Sequence, residues 1–152
     1  MDDIEENPEN MKSMNNRLGW AVDEGDIEIC KDELDHGADV NMKFSMKYTP
    51  IRIAVERNNI VMCKFLIYRG ANVNLPDMFN QTPLFRAVWK NNREICKLLL
   101  DSGADMDAVN DEGISPFQVA IISDDDKMVD IFNHQIVFSR RRDLLSLMIT
   151  ED

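Results

Sequence analysis

The chain repeats one six-residue phrase three times at a constant interval. HGADVN begins at His36, RGANVN at Arg69 and SGADMD at Ser102, so each copy starts 33 residues after the one before it. Self-similarity at a fixed period of this length is typical of solenoids, in which one supersecondary unit recurs and each copy stacks on the next. The period therefore constrains the fold of the 152-residue chain more strongly than any other feature of the sequence.

Other positions keep the same period. A step of 33 residues aligns the small or apolar residues Ala21, Ala54, Ala87 and Ala120, and likewise Cys30, Cys63, Cys96 and Val129. The same step aligns Thr49-Pro50, Thr82-Pro83 and Ser115-Pro116, with Asn16-Arg17 as a diverged first copy. The sequence thus predicts four repeats that span about residues 11–43, 44–76, 77–109 and 110–138.

Each of these markers predicts the start or the end of a helix. Thr or Ser followed by Pro starts a helix, because the hydroxyl caps free N–H groups and Pro fits the first helical position. The inner helix then ends at a residue type that tolerates a left-handed backbone: Gly25, Asn58, Asn91 or Asp124. A second helix starts at the N-caps Asp26, Asn59, Asn92 and Asp125 and ends at Gly37, Gly70 and Gly103. The predicted class is all-α, a solenoid of paired antiparallel helices with hairpin-like loops.

The Thr-Pro-Leu start, the two short helices, the Gly-Ala-Asp-Val-Asn end and the 33-residue period resemble the ankyrin repeat. The resemblance implies a module that binds another protein on a concave surface built by loop tips and inner helices. In the family a His follows Thr-Pro-Leu and ties loop to helix, whereas this chain has Gly19, Arg52, Phe85 and Gln118 at that position. We therefore expect looser coupling between the repeats.

Both ends of the chain depart from the repeat. Residues 1–10 are predicted to be an acidic flexible tail. Asp32 and Glu33 stand where the next units have Phe65-Leu66 and Leu98-Leu99, which suits a terminal repeat with one face in water. Ile136 replaces the glycine of the fourth unit, and residues 139–152 are predicted as a C-terminal capping helix and tail. We expect the apolar end of the stack to be covered by Leu144, Leu145, Leu147 and Met148.

The net charge of −11 alternates along the chain. Residues 1–40 carry thirteen acidic and three basic side chains, residues 41–100 three and ten, and residues 101–130 nine and one. This alternation argues against nucleic acid, which needs an unopposed basic face, and favours either a protein partner or solubility alone. No apolar run is long enough to cross a membrane and no secretory signal opens the chain, so we expect a cytoplasmic protein, with the nucleus as the alternative location.

Three groups of residues invite chemistry and are better explained by structure. The cysteines share one repeat position, and stacked helices lie about 8–10 Å apart, too far for a disulfide. Asp124, Asp125, Asp126 and Asp130 lack the spacing of a calcium loop and suit a helix N-terminus. His36 and His134 have no nucleophile nearby, so we predict no enzyme, no metal, no cofactor and no small-molecule substrate. The run Arg140–Arg142 is either the wet face of an end helix or a patch for nuclear import or an acidic partner.

The predicted partner-binding residues precede each Thr-Pro or stand at the end of an inner helix. They are Met46, Tyr48, Glu56, Arg57, Met78, Phe79, Gln81, Trp89, Lys90, Asp111, Glu112, Ile114 and Ile122. Several are large and apolar at positions where the scaffold would accept any polar residue, and aromatic residues, Met and Arg are enriched in interface cores. The sequence predicts a protein that is a monomer on its own and acts as adaptor or inhibitor by binding a partner segment. The alternative is that it masks a basic segment of a transcription factor with its acidic first unit, as the inhibitors of the Rel family do.

Overall fold

The computed structural model describes the backbone of residues 8–149 and the side chains of residues 16–148. Eight α-helices make up this part of the chain: α1 (Pro8–Glu24), α2 (Ile27–Asp35), α3 (Pro50–Glu56), α4 (Ile60–Tyr68), α5 (Pro83–Trp89), α6 (Arg93–Asp101), α7 (Pro116–Ile122) and α8 (Asp126–Ile149). A single 3-10 turn covers Ser45–Lys47, and no strand occurs between residues 8 and 149.

The helices form four pairs that stack in chain order. Each inner helix packs against the outer helix that follows it, in the pairs α1–α2, α3–α4, α5–α6 and α7–α8. The inner helices α1, α3, α5 and α7 also pack against one another in sequence, as do the outer helices α4, α6 and α8. The architecture is therefore the all-α solenoid that the period predicts.

The predicted caps are present at both ends of the helices. The hydroxyl of Thr82 accepts a hydrogen bond from the amide of Phe85 at 3.3 Å, and the side chain of Asn92 accepts one from the amide of Ile95 at 3.0 Å. Asn91, which joins the two helices, has the left-handed φ of 55°. These local interactions satisfy amides that a helix leaves without intrahelical partners, and they fix where each helix begins.

Residues one period apart form buried columns through the stack. The four alanines of the inner helices, Ala21, Ala54, Ala87 and Ala120, are all fully buried, as are Cys30, Cys63 and Cys96 on the outer helices. A methyl group at the inner position lets neighbouring helix backbones approach closely, and a larger side chain there would overpack the core. The columns explain why the period admits so little variation at these positions.

The last residue of the repeated phrase links one repeat to the next. The side-chain oxygen of Asn41 accepts a hydrogen bond from the amide of Asn72 at 2.7 Å, and that of Asn74 accepts one from the amide of Asp105 at 2.8 Å. The Asn74 side chain also donates to the carbonyl of Gly103 at 3.1 Å. The phrase thus ends an outer helix and also fastens the loop to the equivalent loop one repeat later.

The structure differs from the expectation of looser coupling at the position of the family's His. A Cβ atom on Gly19 would lie 2.5 Å from the ring of Phe44, so the glycine admits an aromatic ring from the loop of the next repeat. Arg52 is buried, and its Nε lies 3.6 Å from a carboxylate oxygen of Asp77 in the following loop. The Gly19–Phe44 and Arg52–Asp77 contacts therefore join the repeats at positions where the family's imidazole is missing.

The first repeat also departs from the prediction. α1 begins at Pro8 and runs through Asn16 without a break, because the Pro that starts the other inner helices is missing there. Glu33 is only 2% exposed and pairs with Arg17 at 2.9 Å, so the prediction that it faces water is wrong. Residues 1–7, which make up most of the predicted tail, lie outside the described residues.

The fourth outer helix replaces the predicted capping helix. α8 is one continuous helix, since Ile136 stands where a glycine would have ended it, and no separate helix begins at residue 139. The side chains of Leu144, Leu145, Leu147 and Met148 are 63%, 54%, 65% and 76% exposed. The prediction that they cover the end of the stack is therefore wrong, and residues 150–152 lie outside the described part of the chain.

We expect Leu99→Ala to lower the free energy of unfolding by about 2–5 kcal/mol, because Leu99 is fully buried between repeats and its removal leaves a cavity. Urea unfolding followed by circular dichroism measures the change. Tyr68→Ala is the control: Tyr68 is 86% exposed on α4, and its loss should change stability by no more than about 0.5 kcal/mol. Equal effects of the two substitutions would contradict the stacked core.

Candidate functional site: the concave surface

Three loop tips line up along one edge of the solenoid. Each tip closes on itself through a backbone hydrogen bond: Phe44 N to Tyr48 O at 2.8 Å, Asp77 N to Gln81 O at 3.0 Å, and Asn110 N to Ile114 O at 3.0 Å. Neighbouring tips are joined as well, by Met78 N to Met46 O at 3.0 Å and Asp111 N to Phe79 O at 3.2 Å. The tips therefore form a continuous ridge whose backbone is held by the scaffold.

Large apolar side chains stand on this ridge. Met46, Met78 and Phe79 are 53%, 49% and 46% exposed. Met46 also has a left-handed φ of 58°, a conformation that costs a bulky residue about 1–2 kcal/mol. The side chains of Met46, Met78 and Phe79 are therefore accessible on the ridge.

A cavity lies between the ridge and the inner helices. Its volume is about 490 Å³, and it is lined by Tyr48, Arg52, Glu56, Phe79, Gln81 and Arg86. The ring of Tyr48 lies under the guanidinium of Arg52, with 4.6 Å between the ring centroid and Cζ. The loop tips and the inner helices α3 and α5 are therefore two walls of one concave surface.

Glu56 is the centre of an ion cluster on the floor of this surface. Its carboxylate accepts hydrogen bonds from Arg52 at 2.7 Å, Arg86 at 3.0 Å and Lys90 at 3.1 Å. Burial opposes ionisation of Glu56, but hydrogen bonds from the three cations outweigh it and lower the pKa of the carboxyl to about 2. Glu56 therefore holds α3 to α5, so this predicted partner-binding residue also stabilises the scaffold.

Two further predicted residues have partners within the chain. Arg57 donates to both carboxylate oxygens of Asp23 at 2.6 and 2.7 Å, which joins the second repeat to the first. Asp111 accepts from the side chain of Asn80 at 2.6 Å, which joins two loop tips. Glu56, Arg57 and Asp111 are therefore used to join repeats.

A second apolar area lies where the inner helices end. Trp89 and Ile122 occupy equivalent positions one period apart and are 65% and 75% exposed. The ring of Trp89 stacks on Phe85, with centroids 6.5 Å apart and planes at 9°, which holds the indole in place. Both residues line an open cavity of about 710 Å³ whose rim includes Asp124 and Asp126.

The structure places all thirteen predicted residues on loop tips, on inner helices or just after the end of one. Nine are exposed: Met46, Arg57, Met78, Phe79, Trp89, Lys90, Asp111, Glu112 and Ile122. The partly buried ones are Tyr48, Glu56, Gln81 and Ile114. Tyr48, Glu56, Phe79 and Gln81 meet in one cavity, whereas Trp89 and Ile122 line the other.

Sequence reasoning missed Trp20. This residue is 56% exposed on α1 and occupies the position that Arg86 occupies two repeats later. Since Arg86 lines the cavity beside Tyr48, the period itself is the signal that puts Trp20 on the same side of the solenoid. Trp20 adds an exposed aromatic side chain to the acidic first repeat.

The cysteines do not contribute chemistry to this surface. Cys30, Cys63 and Cys96 are unpaired and fully buried. Burial raises the pKa of each thiol to about 12, so the reactive thiolate is not populated near neutral pH. Among the described residues, no group of three or more His, Cys, Asp or Glu side chains is arranged to hold a metal ion.

These observations define a helical repeat scaffold with a concave, partly apolar surface. A family model for ankyrin repeats, in three copies, matches residues 18–110, which is more than half of the chain. The chain belongs to the ankyrin-repeat family, whose repeats are generally non-catalytic modules for protein–protein interaction. A search of curated proteins finds no match to the chain. Between residues 8 and 149, no helix is both long and apolar enough to cross a membrane.

We expect Glu56→Gln to lower the free energy of unfolding at pH 7 by about 1–2 kcal/mol, since a neutral amide leaves three cations without their carboxylate, although the site is partly exposed. The pKa of Glu56 is lowered on folding, so its contribution is complete above about pH 4.5 and is lost as the pH falls toward 2. The stability difference between wild type and variant should shrink by more than half between pH 5 and pH 3.

Urea unfolding at several pH values measures this difference, and Glu112→Gln on an exposed loop tip is the matched control. The control should follow wild type at every pH. A difference for Glu56→Gln that stays constant from pH 5 to pH 3 would contradict the ion cluster.

Proposed function

We propose that the protein binds a segment of a partner protein along the concave surface and acts as an adaptor or inhibitor that is itself a monomer. The observation that carries the proposal is the exposure of Trp89, 65%, on an inner helix whose other residues are buried except the partly buried Arg86. Trp and Tyr dominate binding hot spots, and exposed apolar patches on monomers usually mark binding sites. Met78, Phe79 and Ile122 extend the apolar area on either side.

The chemistry of the surface supports an extended or helical partner segment with both apolar and charged side chains. Apolar anchors would pack on the exposed side chains of Phe79 and Trp89, and the exposed acid Glu112 would orient the segment. Pre-formed tips and stacked rings lower the entropic cost of binding, because few side chains have to be ordered. Three buried unpaired thiols are consistent with an intracellular, reducing location.

The alternative, masking of a basic segment by the acidic first repeat, has less support. Asp23, Glu33 and Asp35 of that repeat already pair with Arg57, Arg17 and Arg69. Fewer carboxylates are therefore available to a basic partner than the sequence suggests. Steep salt dependence of partner binding would favour this alternative, whereas a shallow dependence fits apolar anchoring.

We expect Trp89→Ala to remove the true partner from a pull-down of native cell extract, and Trp89→Ala with Tyr48→Ala to weaken the purified complex at least tenfold. Both substitutions shorten aromatic side chains on the concave surface and leave the buried columns intact. Quantitative mass spectrometry of the captured proteins and a direct titration measure the two effects.

Tyr68→Ala is again the matched control, because Tyr68 is an exposed aromatic residue on an outer helix. Partners retained by Tyr68→Ala and lost by Trp89→Ala support the concave site. If wild type and the double variant bind the partner with equal affinity, the site lies elsewhere.

A further inference from the structure

The C-terminal half of α8 extends beyond the stack. In the first half, Met128 and Phe132 are buried, and the side chain of Gln135 donates to the carbonyl of Leu100 at 3.3 Å. From residue 140 to residue 148, by contrast, every side chain is exposed. This projecting segment, residues 137–148, carries Val137, Phe138, Leu144, Leu145, Leu147 and Met148, each at least 54% exposed.

Helical periodicity shows that most of these apolar side chains face away from the repeats. Phe138 is the exception, since it lines a pocket with Leu100 and Asp101 of α6. The inward face of α8 runs through Met128, Phe132, Gln135 and Ser139, which are spaced by four, three and four residues. The same spacing continues that face through Arg142 and Ser146, which are polar. The opposite, outward face runs through Val137, Arg141, Leu144 and Met148. A simple bend toward the repeats would bring polar residues against them, so the leucines are not a displaced cap.

The segment is also basic. Arg140, Arg141 and Arg142 are its cations, and its single acid, Asp143, lies beside the inward face. Among the described residues, the nearest acid on the outward face is Asp130, eleven residues before Arg141, or about 16 Å along the helix axis. Glu151 and Asp152 follow in the sequence but lie outside the described part of the chain. That distance is about two Debye lengths at physiological ionic strength, so Asp130 and the preceding acids of the fourth repeat are largely screened from the segment.

We propose that residues 137–148 dock, as an amphipathic helix, in an apolar groove of a partner protein whose rim carries carboxylates. Val137, Leu144 and Met148 would enter the groove as anchors at positions i, i+7 and i+11, the spacing by which such helices are read. Arg141 lies on the same face between Val137 and Leu144, where a carboxylate of the groove can accept its hydrogen bonds. Arg140, on the flank of that face, then matches the rim. Arg142 faces the repeats instead and lines a pocket with Asp101.

The position of Arg141 argues against the two other occupants. A flat bilayer surface would take the middle of the apolar face deepest, which is where a charge costs most. A second copy of the chain would bring like charges together, because the outward face of residues 137–148 supplies no carboxylate for Arg141. Two short helical segments also bury less surface than a stable dimer usually needs.

This surface is separate from the concave one and does not depend on it. A chain with both can hold a partner segment on its repeats while its last helix is held by a second protein. An adaptor needs two such surfaces. Substitutions that disable one surface leave the other intact, so each can be tested by itself.

Calcium-loaded calmodulin is a suitable probe, because it presents an apolar groove with an acidic surround only when calcium is bound. We expect the full chain to bind it with a dissociation constant of about 10 μM or tighter and to be released by a calcium chelator. Leu144→Gln with Met148→Gln, and separately Arg141→Glu, should each weaken binding at least tenfold. All three residues are exposed, so the variants should keep the wild-type circular dichroism spectrum.

Val61→Gln with Tyr68→Gln is the matched control, since both residues are exposed apolar positions on α4, and its affinity should equal that of wild type. Absence of binding at about 100 μM calmodulin would overturn the proposal. So would equal binding by the Leu144/Met148 variant and wild type. Tighter binding to phosphatidylserine-containing vesicles, or self-association in sedimentation that the same substitutions abolish, would assign the segment to lipid or to a second copy instead.

Discussion

Each helix pair of this protein has an apolar face that only a neighbouring pair can cover. Leu18, Ile51 and Leu84 stand one period apart and are fully buried, and the alanine column beside them lets the inner helices approach. Because every unit must present the same face at the same height, the period stays at 33 residues and the loop tips fall into line. The stacking therefore determines the shape of the concave surface. It does not determine which side chains are exposed there.

The alternation of charge along the sequence has a structural explanation. Basic residues of the middle repeats pair with acids of the outer ones: Arg57 with Asp23, Arg69 with Asp35, and Arg93 with Asp125. Arg86 and Lys90 reach back to Glu56 in the same manner. Many of the charged side chains that the sequence analysis considered for a partner therefore form ion pairs between repeats. The exposed large apolar side chains of the concave surface form no such pairs. They are Trp20, Met46, Met78, Phe79, Trp89 and Ile122.

The fold could be predicted because helix starts and ends are fixed by residues close together in the sequence. The first repeat and the last helix were predicted less well, because their burial depends on residues far apart in the sequence. A cap such as Thr82 or a left-handed residue such as Asn91 acts within a few positions of the chain, so its effect can be read from the sequence. Glu33 could not be placed in the same way, because its burial depends on Arg17 in another helix. The ion cluster at Glu56 likewise needs residues of two repeats. Whether the leucines of α8 are buried or exposed depends on how far the repeats cover that helix.

The stack leaves the indole of Trp89 exposed at the end of α5. Acrylamide quenching of tryptophan fluorescence in a Trp20→Phe variant measures this directly, since Trp89 is then the only tryptophan in the chain. We expect quenching of the folded protein nearly as strong as that of the urea-unfolded chain. A strongly shielded indole in the folded protein would contradict it, because Trp89 would then belong to the core and the concave surface would lose its main anchor.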